Sequence, residues 1–327
     1  MTVTLQPGVW GVVPTPFAGS ALDVDTDSLA QLVEHYAEIG AVGLTVLGVF
    51  GEAASLSTAE KALVLETAAE VSPLPIVAGV TALATRPAID EAVAAVRALD
   101  DRLAAVMVQV NSADHGVLAD HLEALHRATG AAIVVQDYPA ASGVAMPAKT
   151  LAAVVRRCPF VAAVKAEAPP TALSIARLTA ELDVPVFGGL GGQGLLDELA
   201  AGAAGAMTGF SCPEALVATV GAWANDGAAA AFEAFAPFLP LVNCEQQPRL
   251  ALALRKALFR ERGLISDAAV RPPAAPLPDE LLPILRQQLA AALAALEALS
   301  APSFPVSVRS AVPVPSAVTS QTPAGVR

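Results

Sequence analysis

The chain has 327 residues, 54% of them hydrophobic and 15% charged, with 31 acidic against 19 basic side chains and a net charge of −12. That acidic surplus, without any run of Lys or Arg, excludes a nucleic-acid footprint. No stretch of about 18 uncharged apolar residues offers a membrane span. Cys158, Cys212 and Cys244 are widely spaced and form no CxxC pair, which argues against a disulfide framework or a zinc site and fits a reducing cytoplasm. The opening MTVTLQPGVWGVVPTPF lacks the basic and continuous apolar regions of a signal peptide.

Short β-rich apolar runs alternate with helical stretches along the chain. The strand candidates are Val9 to Val13, Val42 to Leu47, Pro75 to Val80, Ala104 to Val110, Ala131 to Gln136, Val161 to Ala166, Val184 to Phe187 and Gly205 to Thr208, eight in all. Helices are expected between them, among others at Asp27 to Ile39, Thr58 to Val71, Arg86 to Leu99 and Pro213 to Asn225. Ser57 with Glu60 three positions on is the capping-box pattern. Eight strands each followed by a helix predict an α/β fold, a (β/α)8 TIM barrel over residues 1–227; a doubly wound sheet with extra strands gives a similar pattern. Three further helices, Ala229 to Leu241, Arg249 to Glu261 and Asp279 to Leu299, predict a C-terminal helical extension over 228–300. Four prolines mark the linker Ser266 to Pro278, and 301–327 reads as a disordered tail rich in Pro, Ser, Val and Thr.

A barrel carries its chemistry where strands end, so those positions supply the candidates. Lys165 interrupts the apolar run of the sixth strand. A buried charged amine is costly unless paired or neutral, and a neutral amine adds to a carbonyl to form a Schiff base. Glu167, two positions on, shares its face of the strand and is placed to move protons. The blander alternatives are a lysine reaching solvent from a strand end and a simple ion pair at the barrel mouth. After the second strand, Gly48-Val49-Phe50-Gly51-Glu52 offers the amides of Val49 and Phe50 to a carboxylate or phosphate. Gln136, Asp137, Tyr138 and Ser142 follow the fifth strand, Gly189 lies in the glycine-rich loop Gly188 to Gly192 after the seventh, and His115 follows the fourth. His35, His121 and His126 fall in helices without metal-ligand spacing and are expected at the surface; no metal site is expected.

Taken in order, Gly11-Val12-Val13-Pro14-Thr15-Pro16-Phe17, the Gly48 to Glu52 turn, Lys165 and Ala201-Gly202-Ala203-Ala204-Gly205-Ala206-Met207-Thr208 resemble the dihydrodipicolinate synthase and N-acetylneuraminate lyase family. The resemblance spans 8 to about 298. It implies a (β/α)8 barrel, a homo-oligomer (tetramer or dimer), and a lysine, here Lys165, that condenses with a 2-oxo acid such as pyruvate without an added cofactor. The family's synthases carry GTTGE where this chain has GVFGE, a tyrosine followed by Asn where it has Gln136-Asp137, and a tyrosine pair where it has Val110-Asn111. No arginine follows Pro139.

A closer resemblance is to the sugar-acid dehydratase branch, through Gln136 to Gly143, Lys165-Ala166-Glu167-Ala168-Pro169, Ala201 to Gly209 and Pro240 to Gln247. It implies dehydration of a 2-keto-3-deoxy sugar acid, with Lys165, Glu167, Gln136 and Tyr138 as catalytic groups. Val49, Phe50, Asp137, Ser142, His115 and Gly189 are the expected substrate-binding positions. The alternatives are a pyruvate-dependent aldolase or synthase-like condensing enzyme, a silent carboxylate-binding relative, and a barrel phosphate enzyme using Gly188 to Gly192.

Overall fold

The computed structural model describes residues 4–300, so the tail assigned to 301–327 lies outside the described residues. Eight parallel strands form the sheet: β1 (Gly8–Val12), β2 (Gly43–Val46), β3 (Ile76–Val80), β4 (Leu103–Gln109), β5 (Ile133–Asp137), β6 (Val161–Ala166), β7 (Val186–Phe187) and β8 (Gly205–Thr208). Neighbours in sequence are neighbours in space, and β8 pairs back onto β1 with Gly8 opposite Gly205. A bridge between Gly188 and Ala206 joins the last two strands, closing the sheet into a barrel. β4 to β6 are Val-, Ile- and Ala-rich, and β2, β5, β6, β7 and β8 are buried along their whole length, as strands covered on both faces must be.

The helices α1 (Thr26–Glu38), α2 (Thr58–Val71), α3 (Thr85–Leu99), α4 (His115–Thr129), α5 (Ala148–Arg157), α6 (Thr171–Thr179), α7 (Leu195–Ala200) and α8 (Pro213–Asp226) follow the strands in turn. The expected capping box at Ser57 and Glu60 is formed. Trp10, Val12, Val77, Ala105, Met107, Val134, Ala163, Phe187 and Met207 fill the barrel interior. A larger apolar layer separates strands from helices. Among the described residues no helix is long and apolar enough to cross a membrane.

Beyond α8 come α9 (Ala228–Phe235), α10 (Leu239–Glu245), α11 (Ala251–Glu261) and α12 (Leu282–Ser300). The single helix expected over Ala229 to Leu241 is broken by a 3-10 turn at Ala236–Phe238, because Pro237 and Pro240 cannot complete the helical hydrogen bonds. These helices share one apolar cluster with the barrel: Val9, Leu195 and Ala206 pack with Phe235, Phe238, Leu254 and Leu285. The proline-rich linker is docked rather than free. Arg271 donates to the carbonyls of Leu22 and Ser55, pairs with Glu60 and lies 4.3 Å from the Phe17 ring.

The histidines correct the expectation of surface positions. His121 is 2% exposed and hydrogen-bonded through Nδ1 to Thr85 Oγ1 at 2.9 Å, and burial lowers its pKa. His126 stacks on Phe160 at 4.2 Å, and His35 lies 3.1 Å from Glu214. Their helices turn these rings inward, where the imidazole serves as a flat packing surface with a polar edge.

Candidate active site

The C-terminal ends of the strands open into a cavity of about 240 Å³. Val49 and Phe50 enter it from the turn after β2, Gln136 and Tyr138 from β5, Lys165 and Glu167 from β6, Leu190 and Gly191 from the loop after β7, and Thr208 and Gly209 from β8. The other wall is made by Gln246, Leu252 and Arg255 of the C-terminal helices.

Strand alternation puts Lys165 and Glu167 on one face, and the pairing of β5 with β6 sets Gln136 directly opposite Lys165. The result is a buried constellation. Lys165 Nζ lies 3.3 Å from Glu167 Oε2, and both residues are 5% exposed. Gln136 Nε2 donates to the same Oε2 at 2.7 Å, while the Leu190 amide reaches Oε1 at 3.3 Å. Glu167 is thus held from three sides. Gly189 is what makes room for it, since a Cβ there would collide with the Glu167 carboxylate.

The turn after β2 is pinned at both ends. Thr15 Oγ1 donates to the Gly51 carbonyl at 2.7 Å, and Glu52 pairs with the buried Lys256. Leu47 and Glu52 both adopt left-handed backbone, with φ of 57° and 52°, the sort of conformation that persists only where the surroundings enforce it. The amides of Val49 and Phe50 donate to no group among the described residues, leaving two unpaired donors in a turn that lines the cavity.

The other expected positions fall elsewhere. Asp137 follows Gln136 by one residue, so alternation turns it away from the cavity; burial, with the charge of Glu167 second, pushes its carboxyl up to about 6. Ser142 caps the turn after Tyr138, its hydroxyl accepting from the Val144 amide at 3.2 Å. His115 is exposed at the start of α4 and does not line the cavity. Tyr138 does line it, with its phenol pKa raised by burial. Arg255 was not anticipated at all. It lies in α11, far along the sequence from any strand end, and only the Pro240 to Gln247 stretch pointed toward Gln246. Among the described residues, no three of His, Cys, Asp or Glu converge as a metal site.

Glu198, in α7, is 1% exposed, and burial pushes its carboxyl up to about 7 from 4.5. The folded chain therefore keeps a proton that the unfolded chain releases, and stability falls as pH rises from about 4.5 to 7. A shift of that size corresponds to about 3 kcal/mol. Glu198→Gln is expected to narrow the loss of urea stability between pH 5 and pH 8. An unchanged difference would show that Glu198 does not titrate in this window.

A (β/α)8 barrel with a buried amine and carboxylate at its C-terminal mouth is the architecture of a barrel enzyme. The model of the dihydrodipicolinate synthetase family matches residues 6–292, and the chain belongs to that family of lyases. It is 32% identical over 298 residues to L-2-keto-3-deoxyarabonate dehydratase of Azospirillum brasilense, covering 86% of this chain and 94% of that one. It is 31% identical over 299 residues to 4-hydroxy-tetrahydrodipicolinate synthase of Sorangium cellulosum, covering 89% and 96%. The crystal structure of dihydrodipicolinate synthase from Rhodopseudomonas palustris superposes with a TM-score of 0.82 at 29% identity, covering 89% of this chain and 99% of that one. Lyases of this family work through a Schiff base between a lysine and a 2-oxo acid and need no external cofactor. They act on small 2-oxo acids and are usually oligomers.

Proposed function

We propose that the chain is a Schiff-base dehydratase of a 2-keto-3-deoxy sugar acid. The observation that carries this is the Lys165–Glu167 pair, buried together at 3.3 Å in the cavity. Lys165 Nζ attacks the C2 carbonyl of the substrate, water leaves, and the protonated imine becomes an electron sink. The free amides of Val49 and Phe50 hold the C1 carboxylate. Glu167, oriented by Gln136 and the Leu190 amide, takes a proton from C3. The resulting enamine expels the hydroxyl from C4, and the Tyr138 phenol, which lines the cavity, protonates it. Asp137, Ser142 and His115 have no direct part in this scheme.

Two things favour dehydration over condensation: the identity to the arabonate dehydratase across most of both chains, and the absence of an arginine after Pro139, where Ala140 and Ala141 stand. The second reading, a condensing or aldol-cleaving enzyme, is supported by the 31% identity to a synthase. The protein works as a homo-oligomer in the cytoplasm under either reading. The test is reduction with borohydride in the presence of pyruvate or a 2-keto-3-deoxy acid, read by peptide mass, together with a screen for dehydration and for pyruvate release. An irreversible adduct on Lys165 and loss of water from a 2-keto-3-deoxy acid are expected. No adduct with any 2-oxo acid would sink the proposal, and pyruvate release without dehydration would favour the second reading.

A further inference from the structure

Arg255 is 8% exposed and enters the cavity from α11. Its Nε donates to Glu245 Oε2 at 3.2 Å, but its two terminal nitrogens have no partner among the described residues. The guanidinium lies over the Phe50 ring, 5.1 Å from its centre. Gln246 Nε2 is buried on the same wall and likewise lacks an acceptor. Both converge on one spot beside the loop after β7, because a Cβ at Gly191 would run into Gln246 Nε2 and Arg255 Nη2 alike. Gly191 is held there, with φ of 66°, by its amide donating to Thr208 Oγ1 at 2.7 Å.

A buried donor without an acceptor is costly, as Gln246 Nε2 is here, and a planar guanidinium fork with two unpartnered nitrogens matches a carboxylate edge-on. The C1 carboxylate already has the free amides of Val49 and Phe50. Lys165, the one amine on the cavity wall among the described residues, is consumed in the imine. A single arginine that shares its charge with Glu245 suits a monoanionic carboxylate better than a phosphate.

We propose that Arg255, assisted by Gln246, anchors a second carboxylate at the far end of the substrate, so that the enzyme selects a dicarboxylic 2-oxo acid. The inference rests on the Schiff-base reading above and deepens it. The C-terminal extension then contributes directly to specificity, supplying from α11 an arginine that this chain lacks after β5.

The experiment compares two six-carbon probes that differ only at the terminal carbon: a 2-keto-3-deoxy aldaric acid, with a carboxylate there, and the corresponding 2-keto-3-deoxy aldonic acid, with a hydroxymethyl group. The wild-type enzyme is expected to favour the diacid in kcat/KM by about 10- to 100-fold, the range for a charged hydrogen-bonded contact. Arg255→Met is expected to erase that ratio through KM, and Arg255→Lys to retain part of it. Equal use of both probes by the wild type, or an undiminished ratio in Arg255→Met, overturns the proposal. Should Arg255→Met fail to fold, the wild-type ratio alone decides. Borohydride trapping of pyruvate, which has no distal carboxylate, separates the two readings. An absent wild-type adduct removes the Schiff-base reading, whereas a wild-type adduct that disappears in folded Arg255→Met assigns the arginine to the first carboxylate and overturns this inference alone.

Discussion

Lys165→Ala is expected to lose the borohydride-trapped adduct completely and to lower kcat by about 10⁴-fold or more, the order seen when a covalent nucleophile is removed. The reason lies in what remains around the site. With Nζ gone, Glu167 still accepts from Gln136 Nε2 and the Leu190 amide, so the carboxylate keeps two donors and the wall of the cavity keeps its shape. The chain's other fully buried lysine, Lys256, is committed to Glu52 and to the Ala269 carbonyl at 2.9 Å and does not line the cavity. Among the described residues no second amine therefore stands ready to form the imine. The melting temperature should change far less than the rate, which separates lost chemistry from lost fold. An adduct of undiminished yield on another lysine, or turnover within tenfold of the wild type, would remove Lys165 from the nucleophile's role.

Most of the barrel was legible because its signal is local. A run such as Ile133-Val134-Val135 or Val161-Ala162-Ala163-Val164 is buried on both faces wherever it occurs in a parallel sheet, and the glycines and prolines that end each run are visible in the chain. β7 reads longer than it is, Val184 to Phe187 against Val186–Phe187, because Pro185 has no amide to donate to a ladder. Lys165 and Glu167 were legible for the same local reason: a two-residue spacing on one strand fixes a shared face. Asp137 was misjudged because the expected strand stopped at Gln136, and one residue of strand decides which side chain faces inward. Arg255 and Gln246 follow Lys165 by 80 residues or more, and their place in the cavity depends on how α10 and α11 fold back over the mouth. No periodicity within a helix reports that. His121 was missed for a similar reason, since its partner Thr85 sits on the neighbouring helix.

The same long-range docking makes Lys256→Met the substitution with the largest expected effect on stability. Lys256 is fully buried in α11, pairs with Glu52 and lies 4.1 Å from the centre of the Phe17 ring. Burial lowers the lysine's pKa while Glu52 opposes the shift, so neither charge is comfortable without the other. Removing the amine leaves the Glu52 carboxylate, 8% exposed, with the Arg271 amide at 2.8 Å as its remaining hydrogen-bond donor and only the more distant charge of the Arg271 guanidinium to offset it. An orphaned buried charge costs about 3–5 kcal/mol, equivalent to a fall in melting temperature on the order of 4–7 °C for a chain of this size. Replacing both partners, Glu52→Gln with Lys256→Met, should recover a substantial part of that loss, because a neutral amide has no charge to desolvate. The functional consequence follows from position. Glu52 ends the turn that presents the Val49 and Phe50 amides, and Lys256 is adjacent in sequence to Arg255. The single variant should therefore raise KM for every 2-oxo acid at temperatures where it remains folded, as the turn and α11 lose the ion pair that holds them together. A melting temperature within about 2 °C of the wild type, well below that range, would mean that Glu52 finds another partner and that the pair does not fasten the extension to the barrel.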